Sequence, residues 1–327
     1  MSVLVTGGAG YIGAHVVRLL QQQGTEVVVV DNLSTGQASR IGGAPLVELD
    51  IAGDGAEDVL VQTMKDYKVT SVIHFAAQKQ VGESVARPMF YYQQNIGGMA
   101  NVISAMEKSG ARDLVFSSSA ATYGMPPVAV VEEDVDMKPI NPYGETKLIG
   151  EWMGRDAAKA WGLRFAGLRY FNVAGAGWDD LGDPAILNLI PMVLDRVEKG
   201  QAPLIFGADY DTPDGTCVRD YIHVLDLAKA HIAALDYLQN DERPADVFNV
   251  STGDGASVKQ IIDGLAKASG LDIQAEIRER RAGDPPHLVG SSKRINEVLG
   301  WHAESTFEDI LESAWSAWQA GPRRIDV

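Results

Sequence analysis

Tyr143 and Lys147 stand four residues apart at the start of a stretch, about 142–160, whose apolar spacing predicts a helix, so both fall on one helical face. An ammonium beside a phenol favours phenolate. Lys147 is therefore expected to lower the pKa of Tyr143 and make it a usable base. With ten tyrosines in 327 residues such a pair arises readily by chance, so its weight comes from what precedes it. Val115-Phe116-Ser117-Ser118-Ser119 reads as a strand that ends in hydroxyls. A serine there can bind a substrate hydroxyl and relay its proton to the tyrosine. Serines after a strand also suit an ordinary polar turn.

A second constellation binds rather than reacts. Thr6-Gly7-Gly8-Ala9-Gly10-Tyr11-Ile12-Gly13 follows the apolar run Val3-Leu4-Val5 and precedes the helically spaced Val16, Val17, Leu19 and Leu20. Asp31 closes the next apolar run, Val27 to Val30. Strand, glycine turn, helix, strand and acid form the layout of a dinucleotide-binding unit. Gly7 permits the tight turn, Gly10 admits a pyrophosphate, and Gly13 lets helix and strand approach. The helix start offers free N–H groups and a positive dipole end. Asp31 can accept from both adenosine ribose hydroxyls and repels a 2′-phosphate; Arg40 is the nearest downstream cation, so NAD is favoured over NADP. Asp31 also suits the plainer role of capping a strand end.

These residues need a scaffold that brings them to one edge. Strands are predicted at 3–6, 27–31, 46–49, 71–75, 114–118 and 165–170, with helices between them, notably 90–108 and 142–160. That alternation predicts an α/β fold: a doubly wound parallel Rossmann sheet built by right-handed crossovers. The pattern changes near Gly175, where 175–184 reads as a loop. A helix at 185–199, a strand at 203–206, a helix at 225–239 and a strand at 247–250 follow. The expected division is a NAD-binding domain of 1–174, with 221–265 returning to it. A smaller mixed α/β substrate domain takes 175–220 and 266–327.

The totals restrict function. The chain is 46% hydrophobic, carries a formal net charge of −16, and has Cys217 as its single cysteine. Such acidity disfavours nonspecific nucleic-acid binding, and an anionic substrate needs local cations. One cysteine allows no intrachain disulfide. No apolar run of membrane-spanning length and no leader pattern stand out, so no membrane partner and a cytoplasmic location are expected. His74, His223 and His231 lack metal-ligand spacing, and no metal is expected.

With Arg169-Tyr170-Phe171-Asn172, Val218 to Val224, His74-Phe75-Ala76-Ala77, Val81-Gly82-Glu83-Ser84 and Tyr92 added to the motifs above, the chain resembles the extended short-chain dehydrogenase/reductase family nearly end to end. It is similar to the branch that epimerises nucleotide sugars at carbon 4. The resemblance implies that Gly7, Gly10, Tyr11, Ile12, Gly13, Asp31, Asn32, Leu33, Ser34, Thr35 and Gly36 hold NAD. It places Asp50 and Ile51 at the adenine, and Phe75, Ala76, Ala77, Gln78, Lys79 and Asn95 along the cofactor. Ser119, Tyr143, Lys147 and Phe171 complete the nicotinamide side. Asn172, Asn188, Leu204, Ile205, Phe206, Arg219, Arg281, Asp284 and Leu288 match nucleotide-sugar contacts, together with Ser119 and Tyr143. Arg219 and Arg281 are then the local cations for a diphosphate. The implied activity interconverts UDP-glucose and UDP-galactose through a 4-keto sugar, in a homodimer.

Two departures from the family pattern stand out. Thr122 is displaced by one position relative to the usual Ser-Ser-Ala-Thr, which puts one substrate hydroxyl contact in doubt. Leu288 stands where an aromatic residue is frequent, which suggests acceptance of N-acetylated hexosamines. Rival readings are a UDP-uronate epimerase, a 4,6-dehydratase and a noncatalytic NAD-sensing module. The dehydratase is disfavoured because Ala120 and Ala121 cannot transfer protons.

Overall fold

The computed structural model describes residues 2–240, 245–281 and 285–321. Seven strands form one sheet in the spatial order Ala245–Val250, Arg164–Tyr170, Asp113–Ser117, Ser71–His74, Ser2–Thr6, Glu26–Asp31 and Leu46–Glu48. Every neighbouring pair is parallel. Both faces of the sheet are covered, which is why its strands are continuously apolar rather than alternating. Val3 and Val5 face one layer, with Val16, Val17, Leu20, Leu227 and Leu235. Leu4 faces the other, with Leu60, Met99, Met106 and Leu114.

The strand order reverses at Ser2–Thr6, whose register pairs Thr6 with Val30 on one side and His74 on the other. At such a switch the connections leave in opposite directions and open a crevice outside the carboxyl ends. Gly7, Asp31, Phe75 and Ser117 all leave the sheet at that edge.

The helix Pro142–Trp161 crosses the Asp113–Ser117 and Arg164–Tyr170 strands. Asn141 starts it, its Oδ1 accepting from Gly144 N at 2.8 Å, with Pro142 at the first position. Gly150 and Gly154 let it lie close: a Cβ would come 2.5 Å from the Phe116 ring at the first and 2.3 Å from the Phe165 ring at the second. The expected 90–108 helix is three pieces: Pro88–Tyr91, a π-helical turn Tyr92–Gly97, and Gly98–Ser109. The expected 185–199 helix is shorter, Leu189–Glu198.

A smaller mixed sheet lies over the carboxyl edge. Val218–His223 pairs in parallel with Asn172–Ala174 and His287–Gly290, and antiparallel with Gly255–Ser257. Leu204–Phe206 pairs with Glu276–Arg278. Of the stretch 221–265 expected back on the main sheet, the helix Val224–Asn240 and the strand Ala245–Val250 do return. The helix Val258–Ser269 does not. Ile261, Ile262 and Leu265 pack with Ile190, Leu194, Ile310 and Leu311 in a separate apolar cluster. Its apolar stripe matches either layer in period, and the preceding antiparallel strand Gly255–Ser257 decides which layer it meets.

Candidate functional site

Gly7 has a left-handed φ of +70°, and a Cβ there would lie 2.8 Å from Ala76 N. A Cβ at Gly13 would lie 2.3 Å from the Gly7 carbonyl. The protein's own backbone demands both glycines. At Gly10 a Cβ would meet only the Gly7 carbonyl, at 3.3 Å. No side chain caps the helix Tyr11–Gln22 that begins beside it. Bare backbone with unclaimed N–H groups is a cradle for an anionic group, and a dinucleotide pyrophosphate fits it. The two positions should therefore respond differently. Gly13→Ala is expected to lower stability by about 1–3 kcal/mol through overpacking. Gly10→Ala should melt like the unaltered protein stripped of NAD, and should retain far less NAD on purification. Thermal unfolding and cofactor content together check this.

Asp31 is buried at the end of its strand. Its Oδ2 accepts from Ala9 N at 3.0 Å and its Oδ1 from Leu33 N at 2.8 Å. Burial pushes the carboxyl up, and the two N–H donors oppose this. Gly36 packs against it, since a Cβ there would lie 2.9 Å from Oδ1. Leu33 itself adopts φ +56° to make the turn. Arg40 turns away: its Nη2 donates to the Leu181 and Gly182 carbonyls at 3.0 and 2.9 Å, so it offers nothing to a 2′-phosphate.

One cleft of about 450 Å³ runs from this cradle along the sheet edge. Gly7, Gly10, Tyr11, Ile12, Gly13 and Asp31 line one end, with Asn32, Ser34, Thr35, Asp50 and Ile51. Phe75, Ala76, Ala77, Gln78 and Lys79 form its middle. Asn95, expected on the wall, is buried beneath it. Its Oδ1 accepts from Gln78 N at 2.8 Å, and its Nδ2 donates to Gln78 O and Thr146 Oγ1 at 3.0 and 2.9 Å. The π-helical turn aims this amide inward, where it ties the cleft floor to the helix bearing Tyr143 and Lys147.

At the other end the cleft meets Ser119, Tyr143, Lys147 and Phe171. Ser119 Oγ accepts from Ala121 N at 3.1 Å and also engages the Tyr143 phenol. The expectation that Lys147 depresses the phenol is not met by the protein alone. Burial pushes Tyr143 above its ordinary value, and Ser119 alone opposes it. Lys147 Nζ donates to Ser117 O at 2.7 Å and sits 5.9 Å from the Tyr143 ring centroid. Desolvation pulls its own pKa down to about 7. Both groups sit in a medium that penalises charge, so each moves toward its neutral form.

On the substrate side, Asn172, Asn188, Arg219 and Leu288 line this cleft, and Asn172 and Asn188 also line an adjoining chamber of about 540 Å³ that contains Arg281. Leu204, Ile205 and Phe206 lie off both walls in their strand, although the Arg281 guanidinium stacks 3.9 Å from the Phe206 centroid. Asp284 falls outside the described residues. Thr122 faces inward, its Oγ1 donating to Ser119 O at 2.9 Å, while Ala121 lines the cleft. The wall here therefore carries the Ala121 methyl and not the Thr122 hydroxyl. His74 and His231 are fully buried, with burial holding their imidazoles near pKa 3 and 4.

Residues 3–251 match the NAD dependent epimerase/dehydratase family. The chain belongs to this family. It is 45% identical over 97% of its length to a UDP-glucose 4-epimerase of Azospirillum brasilense, covering 91% of that protein. The structure of a UDP-glucose 4-epimerase from Brucella ovis in complex with NAD superimposes with a TM-score of 0.92 at 43% identity, covering 98% of both chains. A UDP-Glc/GlcNAc 4-epimerase from the human pathogen Campylobacter jejuni superimposes at 0.85, with 39% identity over 97% of this chain and 99% of that one.

One part of this epimerase/dehydratase site has no counterpart in the sequence reading. Glu151 lies one helical turn beyond Lys147 and is fully buried. It accepts from Ser118 Oγ at 2.5 Å and from Arg169 Nε and Nη2 at 2.8 and 2.6 Å. Arg169 Nη1 donates to Tyr123 Oη at 2.8 Å, which donates to Asn249 Oδ1 at 2.7 Å. A lone glutamate amid apolar helix positions was the available signal, since such a carboxylate must find a cation or hydrogen-bond donors.

Proposed function

We propose that this protein is an NAD-dependent UDP-glucose 4-epimerase, an isomerase of UDP-glucose and UDP-galactose. The observation that carries the reading is one cleft that joins a bare pyrophosphate cradle to Ser119, Tyr143 and Lys147, then continues into a chamber holding Arg281. A binding module has no need of the second part.

Asp31 would accept from the adenosine ribose, and the N–H groups beside Gly10 would take the pyrophosphate. NAD, when bound, supplies a hydride acceptor and a positive ring that favours phenolate. Tyr143 removes the proton of the sugar 4-hydroxyl, directly or through Ser119, and later returns it. Lys147 donates to Ser117 O, which holds its amine beside the phenol, where it would favour phenolate in its protonated form. Arg219 and Arg281 keep the diphosphate in place, so the oxidised sugar stays at high local concentration while it turns over. Firm anchoring of the nucleotide with few fixed sugar contacts suits a ring that must present both faces. We also propose a homodimer in the cytoplasm. Val85, Met89 and Trp152 are exposed on adjoining helices, and among the described residues no helix is long and apolar enough to cross a membrane.

The test is incubation of purified protein with UDP-galactose and no added cofactor. UDP-glucose should accumulate to an equilibrium mixture; its absence from NAD-loaded protein rejects the reading. Leu288 and Ala121 on the cleft wall, where an aromatic ring and a hydroxyl are absent, favour a roomier sugar site. UDP-N-acetylglucosamine is accordingly expected to be epimerised within about tenfold of the UDP-glucose rate, and Leu288→Tyr to suppress that activity selectively. Comparing kcat/KM for the two sugars in both proteins checks it.

A further inference from the structure

Tyr11, His15 and Arg18 share one face of the helix Tyr11–Gln22. Each holds a successive part of the loop that follows Gly175. Tyr11 Oη donates to Gly175 O at 2.5 Å, and Gly177 N donates to His15 Nε2 at 3.0 Å. Arg18 forks onto Asp180 at 2.8 and 2.5 Å and lies 4.9 Å over the Trp178 ring. Arg40, in the turn just beyond the ribose-side loop, completes the ladder through the Leu181 and Gly182 carbonyls. It is only 3% exposed.

A guanidinium buried to that extent needs compensation, and a staple between two backbone segments does not require a charge. Asp183 is the carboxylate that most favours the Arg40 cation. Asp183 in turn holds the next bend: its Oδ1 accepts from Ala185 N at 3.1 Å and its Oδ2 from Asn188 Nδ2 at 2.7 Å. Asn188 lines both the cleft and the chamber. Arg40 thus holds the Gly182 carbonyl next to Asp183, and Asp183 holds Asn188, which sets the two residues in sequence between the cofactor-side loop and a side chain on the wall of both spaces.

We infer that Arg40 and Asp183 are positioning residues for the substrate, fixing Asn188 against the nucleotide diphosphate from the cofactor side of the molecule. The inference rests on the UDP-sugar reading above. Neither residue touches the reacting carbon, so their effect falls on binding rather than on the chemical step.

The test uses NAD-loaded protein and two variants, Arg40→Met and Asp183→Ala. UDP affinity is measured by calorimetry, with KM and kcat for UDP-galactose, NAD content and melting temperature. Both variants should weaken UDP binding and raise KM about tenfold with kcat nearly unchanged. Asp183→Ala, at a half-buried position, should keep its NAD and lose only part of its thermal stability, so its UDP affinity and KM decide the matter should Arg40→Met fail to fold. Lower melting temperatures with unaltered UDP affinity and KM would mean a purely structural ladder and overturn the inference. Failure of the unaltered protein to bind UDP sinks the functional reading itself, a different result from equal binding by all three proteins.

Discussion

Tyr143→Phe loses about a thousandfold or more of the epimerase turnover and remains folded and loaded with NAD. The substitution removes one oxygen. The ring that packs beside Lys147 stays, as do the Lys147 bond to Ser117 O and the Asn141 cap of the helix. The phenol hydroxyl sits where burial penalises its ionised form and Ser119 alone opposes the penalty, so its loss should not destabilise the fold. What disappears is the group placed to take a proton from a hydroxyl in the cleft. Ser119→Ala is a useful contrast, since Ser119 Oγ also accepts from Ala121 N. Its effect combines lost proton relay with a loosened turn, and a smaller loss of about 10- to 100-fold is expected. The measurement is single-turnover conversion of UDP-galactose, with bound NAD quantified after denaturation. Near-normal turnover by the phenylalanine variant would remove Tyr143 from the reaction.

The sequence conveys the parts of this site that depend on local order. A strand buried on both faces is a short apolar run whatever it pairs with, and a glycine turn before a helix carries its own geometric reason. Hence the seven parallel strands and the cradle were legible. Choices among partners were not. The stripe Ile261, Ile262 and Leu265 predicts a buried helical face but not the layer that buries it. Gly150 and Gly154 lower helix propensity, and only the Phe116 and Phe165 rings beneath them explain why a helix keeps them. The family resemblance implies Asn95 along the cofactor, whereas the π-helical turn rotates its amide beneath the cleft floor. The phenol's pKa was the largest discrepancy. Four-residue spacing brings Lys147 near Tyr143, but it does not say how much water the pair loses.

Arg169→Met, which leaves the Glu151 carboxylate buried and without its cation, should lower stability by about 3–5 kcal/mol. For a chain this size the melting temperature then falls by roughly 4–7 °C. The pair is almost completely inaccessible, with the arginine side chain at 3% and the glutamate at 0% exposure. Desolvation of both ions cancels much of their attraction, so the damage lies in breaking the pair rather than in lacking it. The double variant Glu151→Leu/Arg169→Met should therefore recover most of the loss, and equal or additive losses in a double-mutant cycle would contradict this. Stability is not all that the pair supplies. Glu151 also accepts from Ser118 Oγ, beside the serine that engages Tyr143, and Arg169 holds Tyr123 at the turn that Ser119 starts. The double variant should consequently be stable but slow, with kcat reduced about tenfold while NAD stays bound. A double variant as active as the original protein would mean that packing alone, without the ionic network, aligns Ser119 with the phenol.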